Sequence, residues 1–247
     1  MSSIFTNIEP CILTDIISKL DSEQLKRLDK FSENVDYNLV ITGSIGVGKS
    51  TISEIIYKIV SFHILNMRAY PEYLNIKYKG NYPGQIMFEM LMDKKISAFT
   101  FQSFVLDCWN SLFVQNEYNK RNNFNVMERL PFDALDCFTK GNKNISEVEQ
   151  ELLSNRYNDS KATIGFIDYD NCKKIVLNNY NLNRCIQDII NIIIEDLESG
   201  VKNRAVCLKI DENDYIRRMK MRGREGEDKY DLNILRKYNK YYEDKFK

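Results

Sequence analysis

The sequence predicts an α/β fold in which a parallel sheet of about five strands is covered by helices on both faces. Three observations carry that expectation. Short apolar runs alternate along the chain with longer segments of helical periodicity. The glycine-rich "GSIGVGKST" at 43–51 stands between a run of strand character and one of helical character. Finally, 247 residues with 43% hydrophobic and 12% aromatic side chains can close a core on each side of a sheet. Strands joined by helices run parallel, because each crossover returns the chain to the end it left.

The elements follow in order. Residues 1–35 form an extension with one amphipathic pattern, "CILTDIISKLDSEQLKRLDKF", whose apolar residues recur every three to four positions. "DYNLVITG" reads as a buried strand entering the glycine turn, and "KSTISEIIYKIVSFHIL" as the helix leaving it. A second strand, "NMRAYPEYL", is ended by Pro71. "PGQIMFEMLMD" and "SAFTFQSFVLDCWNSLFVQNEY" are two helices, and "FNVMERL" is a third strand stopped before Pro131. The polar stretch 139–182 predicts a helix and a hairpin, and stands apart as an insert. "NRCIQDIINIIIEDLESG" is a strong helix ending at Gly200, followed by the buried strand "RAVCLKI". A basic helix then runs into a charged loop over 215–230, and "LNILRKYNKYYEDKF" closes the chain as a helix.

Composition narrows the function. Thirty-five basic residues balance thirty-five acidic ones, so no global field draws the molecule onto nucleic acid or an anionic membrane. The single histidine, His63, rules out a His-based metal site or a catalytic triad. Six cysteines show no CxxC pair or metal-ligand spacing and read as free thiols of a reducing compartment. The start of the chain lacks the basic and apolar regions of a signal peptide, and no apolar run reaches membrane length. The expectation is a soluble, cytoplasmic protein with a small-molecule substrate.

The glycine-rich stretch is specific. Gly43, Gly48, Lys49 and Ser50 fit GxxxxGK followed by Ser or Thr, in the strand-to-helix context that this pattern requires. In such a loop (Gly43, Ser44, Ile45, Gly46, Val47, Gly48, Lys49, Ser50 and Thr51) successive backbone N–H groups face a polyphosphate at a helix N-terminus. Lys49 reaches the outer phosphates and the Ser50 hydroxyl is suited to Mg²⁺, which makes ATP and Mg²⁺ the expected cofactors. A GTPase would add a base-reading NKxD tetrapeptide, which is absent, and a motor ATPase would add a strand ending in Asp or Asp-Glu. Here "FNVMERL" ends in Glu128-Arg129, so another acidic group must serve the metal.

Five segments in this order resemble the deoxyribonucleoside kinases, a P-loop kinase family that includes the herpesvirus-type thymidine kinases: "GSIGVGKST", "AYPEYL", "SAFTFQSFVLD", "MERLPFDALDCF" and the arginine-rich "RRMKMRGREGED". The resemblance implies a lid over 215–230 and phosphorylation of the 5′-hydroxyl of a deoxyribonucleoside, with thymidine favoured. It implies Glu72 as general base, Glu128 as Mg²⁺ ligand beside Ser50, and Arg129 as the partner that keeps Glu72 ionised. Gln102 would read the base edge, Phe138 would stack on the base, and Glu227 would contact the sugar 3′-hydroxyl. Arg218, Arg222 and Arg224 would be lid arginines that stabilise charge on the moving phosphoryl group. The same resemblance implies a homodimer.

Blander readings stand beside these. Phe138 serves equally well in a core, and Trp109, seven residues after Gln102 on the same helical face, either shapes the base pocket or is simply buried. The family's arginine for reading cytosine is Trp109 here and its partnering aspartate is Ala134, losses that disfavour deoxycytidine. Met92 lies nearest to the place of a tyrosine that holds the 3′-hydroxyl, and Leu130 occupies the third position of the ERS-type motif. The extension and the insert have no counterpart in the family pattern and read as dimer, regulatory or pocket-covering elements. A thymidylate or other monophosphate kinase would need a cation for the acceptor phosphate, with Arg68 as the candidate. A non-catalytic nucleotide-binding relative is the third reading.

Overall fold

The computed structural model describes residues 10–32, 35–115, 118, 123–140, 142–222 and 232–247. In chain order the elements are α1 (Pro10–Ser18), α2 (Ser22–Asp29), β1 (Tyr37–Gly43), α3 (Lys49–Val60), β2 (Met67–Tyr70), α4 (Pro83–Met92), α5 (Ala98–Gln115) and β3 (Phe124–Glu128). They continue with α6 (Phe132–Asp136), α7 (Glu147–Ile164), β4 (Lys173–Asn178), α8 (Leu182–Ser199), β5 (Asn203–Lys209), α9 (Glu212–Arg222) and α10 (Leu232–Lys245). The five strands lie in the order β2-β3-β1-β5-β4, and every neighbouring pair is parallel. This is the predicted sheet.

Strand alternation divides the core. Along β1, Leu39 and Ile41 face one cluster with Ile52, Ile55 and Ile59 of α3 and Ile186, Ile190 and Ile193 of α8. Val40 between them faces the other cluster, with Tyr70, Met127 and the α4, α5 and α7 residues Phe88, Phe113 and Leu153. Both faces of β1 are therefore buried, which is why "LVI" is continuously apolar rather than alternating.

Two expectations change. The N-terminal pattern is two helices, not one, because the Asp21 side chain accepts from the Glu23 N–H and starts a new helix there. Leu20 and Leu28 still reach the core, and Arg27 pairs with Glu198 of α8 at 2.6 Å. Among the described residues, none of the extension lines the central cavity. Among the described residues, the stretch 139–182 contains no hairpin. It supplies α7, then β4 as the sheet's fifth strand, paired from Lys173↔Arg204 to Asn178↔Lys209. No helix among the described residues is long and apolar enough to cross a membrane.

Candidate active site

The carboxyl ends of the strands converge on one cavity of about 860 Å³. β1 delivers the glycine turn, β2 leads through Pro71 to Glu72, and β3 ends on Glu128 and Arg129.

The turn is held by close contacts that only glycine permits. A Cβ on Gly43 would lie 2.6 Å from the Leu208 carbonyl, and Gly43 has φ +131°. Gly48, with φ +95°, precedes the first turn of α3. Ile45, Gly46, Gly48, Lys49, Ser50 and Thr51 line the cavity. Gly43, Ser44 and Val47 do not; the Ser44 hydroxyl lies 3.0 Å from the Tyr215 hydroxyl, and Val47 is buried beneath the turn. Lys49 is buried and donates to the Ser44 carbonyl at 2.8 Å. The helix N-terminus, the cationic side chain and the open turn together suit a chain of phosphates.

Beside the turn is an acidic centre. Ser50 Oγ donates to Glu128 Oε1 at 2.6 Å, and the Glu72 backbone N–H donates to Glu128 Oε2 at 3.3 Å. Asn75 Nδ2 reaches both Ser50 Oγ and Glu128 Oε2, at 3.2 and 3.4 Å. Burial raises the Glu128 pKa, the Glu72 charge raises it further, and Lys49 and Ser50 act against them. Such a group gains from a nearby cation. No cluster of three or more His, Cys, Asp or Glu residues fit for a metal exists among the described residues. Mg²⁺ does not need one. It takes one or two protein oxygens and completes its shell with phosphates and water, so Ser50 Oγ and Glu128 fit its demand.

Arg129 would point away from Glu128 in a continuing strand. Its φ of +70° turns the backbone, so that both side chains line the same cavity. Arg129 is buried, with Nε 3.5 Å from Glu72 Oε1 and the guanidinium carbon 5.0 Å from the Phe138 ring and 5.8 Å from the Tyr242 ring. Burial works against its charge, but Tyr242, Glu72 and Asp133 outweigh it and hold the pKa above the ordinary arginine value. Asp133, fully buried, accepts from the Tyr169 hydroxyl at 2.7 Å, the Tyr241 hydroxyl at 3.3 Å and the Leu130 N–H at 3.3 Å.

The opposite wall comes from α5 and α6. Gln102 lines the cavity and is 7% exposed, and its buried Oε1 has no hydrogen-bond partner. A buried amide oxygen without a partner is costly, and it marks this wall as shaped for a polar ligand edge. Trp109 lines the cavity and is also buried, stacked on Phe113 at 5.5 Å. Phe138 lines the cavity under Tyr238, with ring centroids 4.9 Å apart. Met92, Leu130 and Ala134 are lining residues too.

A family model described as deoxynucleoside kinase matches residues 39–189. The chain belongs to the deoxynucleoside kinase family. It is a kinase that uses a nucleotide and acts on a small nucleoside substrate. The match includes 139–182, the stretch that the motifs alone left without a counterpart. None of the curated proteins matches the chain.

Of the remaining expected residues of this kinase, Arg218 lines the cavity and donates to the Val47 and Asn179 carbonyls at 3.4 and 2.9 Å. Arg222 closes α9, and its side chain lies outside the described residues, as do Arg224 and Glu227. Arg68 is not among the lining residues; its Nη1 bonds the Met67 carbonyl at 3.2 Å. Sequence reasoning passed over Asp133, Tyr238, Asn75 and Asn179. Asp133 lies inside the quoted "RLPFDALDCF", but the other three carry no local signal.

Proposed function

We propose that the protein transfers the γ-phosphoryl group of ATP to the 5′-hydroxyl of a deoxyribonucleoside, thymidine being the favoured substrate. The observation that carries this reading is the common cavity of the phosphate turn and the Glu72–Arg129 pair, 3.5 Å apart. Glu72 takes the hydroxyl proton as the sugar oxygen forms its bond to the γ-phosphorus and the bond to the leaving ADP oxygen breaks. Arg129 keeps Glu72 ionised and in place. Lys49 and Arg218 stabilise the negative charge on the transferred group, joined by Arg222 and Arg224 from the proposed lid over 215–230. Glu227, from the same segment, contacts the sugar 3′-hydroxyl. Mg²⁺, held by Ser50 and Glu128, neutralises phosphate charge when bound.

For the base, the Gln102 amide can pair with O4 and N3–H of thymine while Phe138 stacks on the ring. Trp109 and Ala134 supply no charged partner for cytosine and leave room for a methyl group. By family resemblance the protein is a cytoplasmic homodimer, which sedimentation analysis of the full chain tests. A coupled assay with ATP and a panel of nucleosides and nucleoside monophosphates tests the reaction; thymidine is expected to give the highest kcat/KM. Lys94, an exposed cation on the cavity lining, favours a second reading in which a monophosphate is the acceptor. Faster turnover of thymidylate than of thymidine would establish that alternative, and no turnover of any acceptor would leave a nucleotide-binding relative.

A further inference from the structure

We propose that Asn179 is a positioning residue that pins the phosphate turn to α9 and thereby aims the Gly48 N–H at the bound triphosphate. The inference rests on the kinase reading above. Asn179 follows β4 directly and is 3% exposed. Its backbone N–H donates to the Lys209 carbonyl at 2.8 Å, which fixes it at the end of β5. Its Nδ2 donates to the Val47 carbonyl at 2.7 Å, and its own carbonyl accepts from Arg218 Nη2 at 2.9 Å. One residue thus joins the glycine turn, the last two strands and the arginine of α9.

The geometry of the peptide unit gives this contact its consequence. In a planar trans peptide the C=O and the following N–H point in opposite directions. Holding the Val47 carbonyl down onto Asn179 therefore turns the Gly48 N–H up, toward the cavity that Gly48 lines. The fit is close: a Cβ on Gly48 would lie 2.7 Å from Asn179 Nδ2. The Val47 carbonyl can only accept, so the residue beneath it must donate. An aspartate of the same shape would set oxygen against oxygen.

The test compares Asn179→Ala, Asn179→Asp and Asn179→Ser in the full chain, reading binding of a fluorescent ATP analogue, nucleoside binding and steady-state kinetics. For Ala and Asp, loss of a buried donor should weaken analogue binding by about tenfold or more and raise KM for ATP in parallel. KM for the nucleoside should stay within about twofold of wild type, and Ser, which keeps a hydroxyl donor, should fall between. Analogue binding within about threefold of wild type in both Ala and Asp overturns the proposal, as does an equal loss of nucleoside binding. If Asn179→Ala does not fold, the near-isosteric Asp and the donor-retaining Ser decide the matter. A wild-type protein that binds the analogue but phosphorylates no nucleoside refutes the kinase reading alone, and the binding comparison still judges Asn179.

Discussion

In the proposed reaction Glu72 is the base, and a single oxygen-for-nitrogen exchange there should separate chemistry from binding. Its carboxylate is held 3.5 Å from Arg129 Nε, while its backbone N–H is engaged by Glu128. Glu72→Gln preserves shape and the backbone bond but cannot accept a proton at neutral pH. Turnover should fall by about 10²–10⁴ with nucleoside affinity within a few-fold, measured by single-turnover kinetics and calorimetric binding. Activity within a few-fold of wild type would reassign the base. Gln102 makes the complementary case. Its buried Oε1 has no protein partner, and in the proposed reaction the nucleoside base satisfies it. Gln102→Leu should raise KM for the nucleoside by roughly 10–100-fold while KM for ATP stays unchanged, because a lost pair with a ligand edge is worth about 1–3 kcal/mol. Both residues were singled out through the family resemblance of the segments that carry them, "AYPEYL" and "SAFTFQSFVLD", and both line the cavity. Asn179 was not: one asparagine at a strand end has no pattern, and its contacts come from segments 30 to 130 residues away in sequence, on the order of the distances that separate its partners Lys209 and Val47.

Elements differ in how plainly the sequence writes them. The buried strands β1, β3 and β5 are apolar runs bounded by polar residues, and the five-residue β3 is buried throughout. β4 is an edge strand, "KKIVLN", whose side chains are exposed or half-buried, and it lay concealed inside a polar stretch that reads as a helix and a hairpin. The break between α1 and α2 escaped notice for a different reason: the apolar spacing carries through it, and only the Asp21 cap interrupts the helix. α7, by contrast, declares its start in "SEVE". Ser146 accepts from the Glu149 N–H, and Glu149 accepts from the Ser146 N–H and hydroxyl, both at 2.8 Å. Those donors hold the Glu149 pKa below the ordinary glutamate value. A carboxylate depressed on folding adds stability above its unfolded pKa and loses it as pH falls through the folded value. Glu149→Gln should therefore melt below wild type near about pH 7, and the gap in Tm should close as pH drops below roughly 4. A gap that persists at low pH would place the effect outside this charge.

At the scale of the whole molecule, the sheet separates two cores with different duties. The face bearing α4, α5 and α7 carries Phe101, Gln102, Val105 and Trp109, so its packing also shapes the cavity wall. Among the described residues, the face bearing α1, α2, α3 and α8 meets the cavity through the turn that opens α3. Stability and substrate recognition should accordingly separate by face. Leu28 of α2 is fully buried in the second core and is not itself a lining residue. Leu28→Ala removes its methyl groups and leaves a void, lowering stability by about 2–5 kcal/mol. For a chain of this length that amounts to a fall in Tm of roughly 5–15 °C. Well below the new Tm, KM for both substrates and kcat should match wild type, because no described residue of α1 or α2 lines the cavity. Calorimetry and initial rates on one sample test both halves together. A normal melt with an altered nucleoside KM would mean that the N-terminal helices reach the substrate after all, and that the two faces of the sheet are coupled through β1.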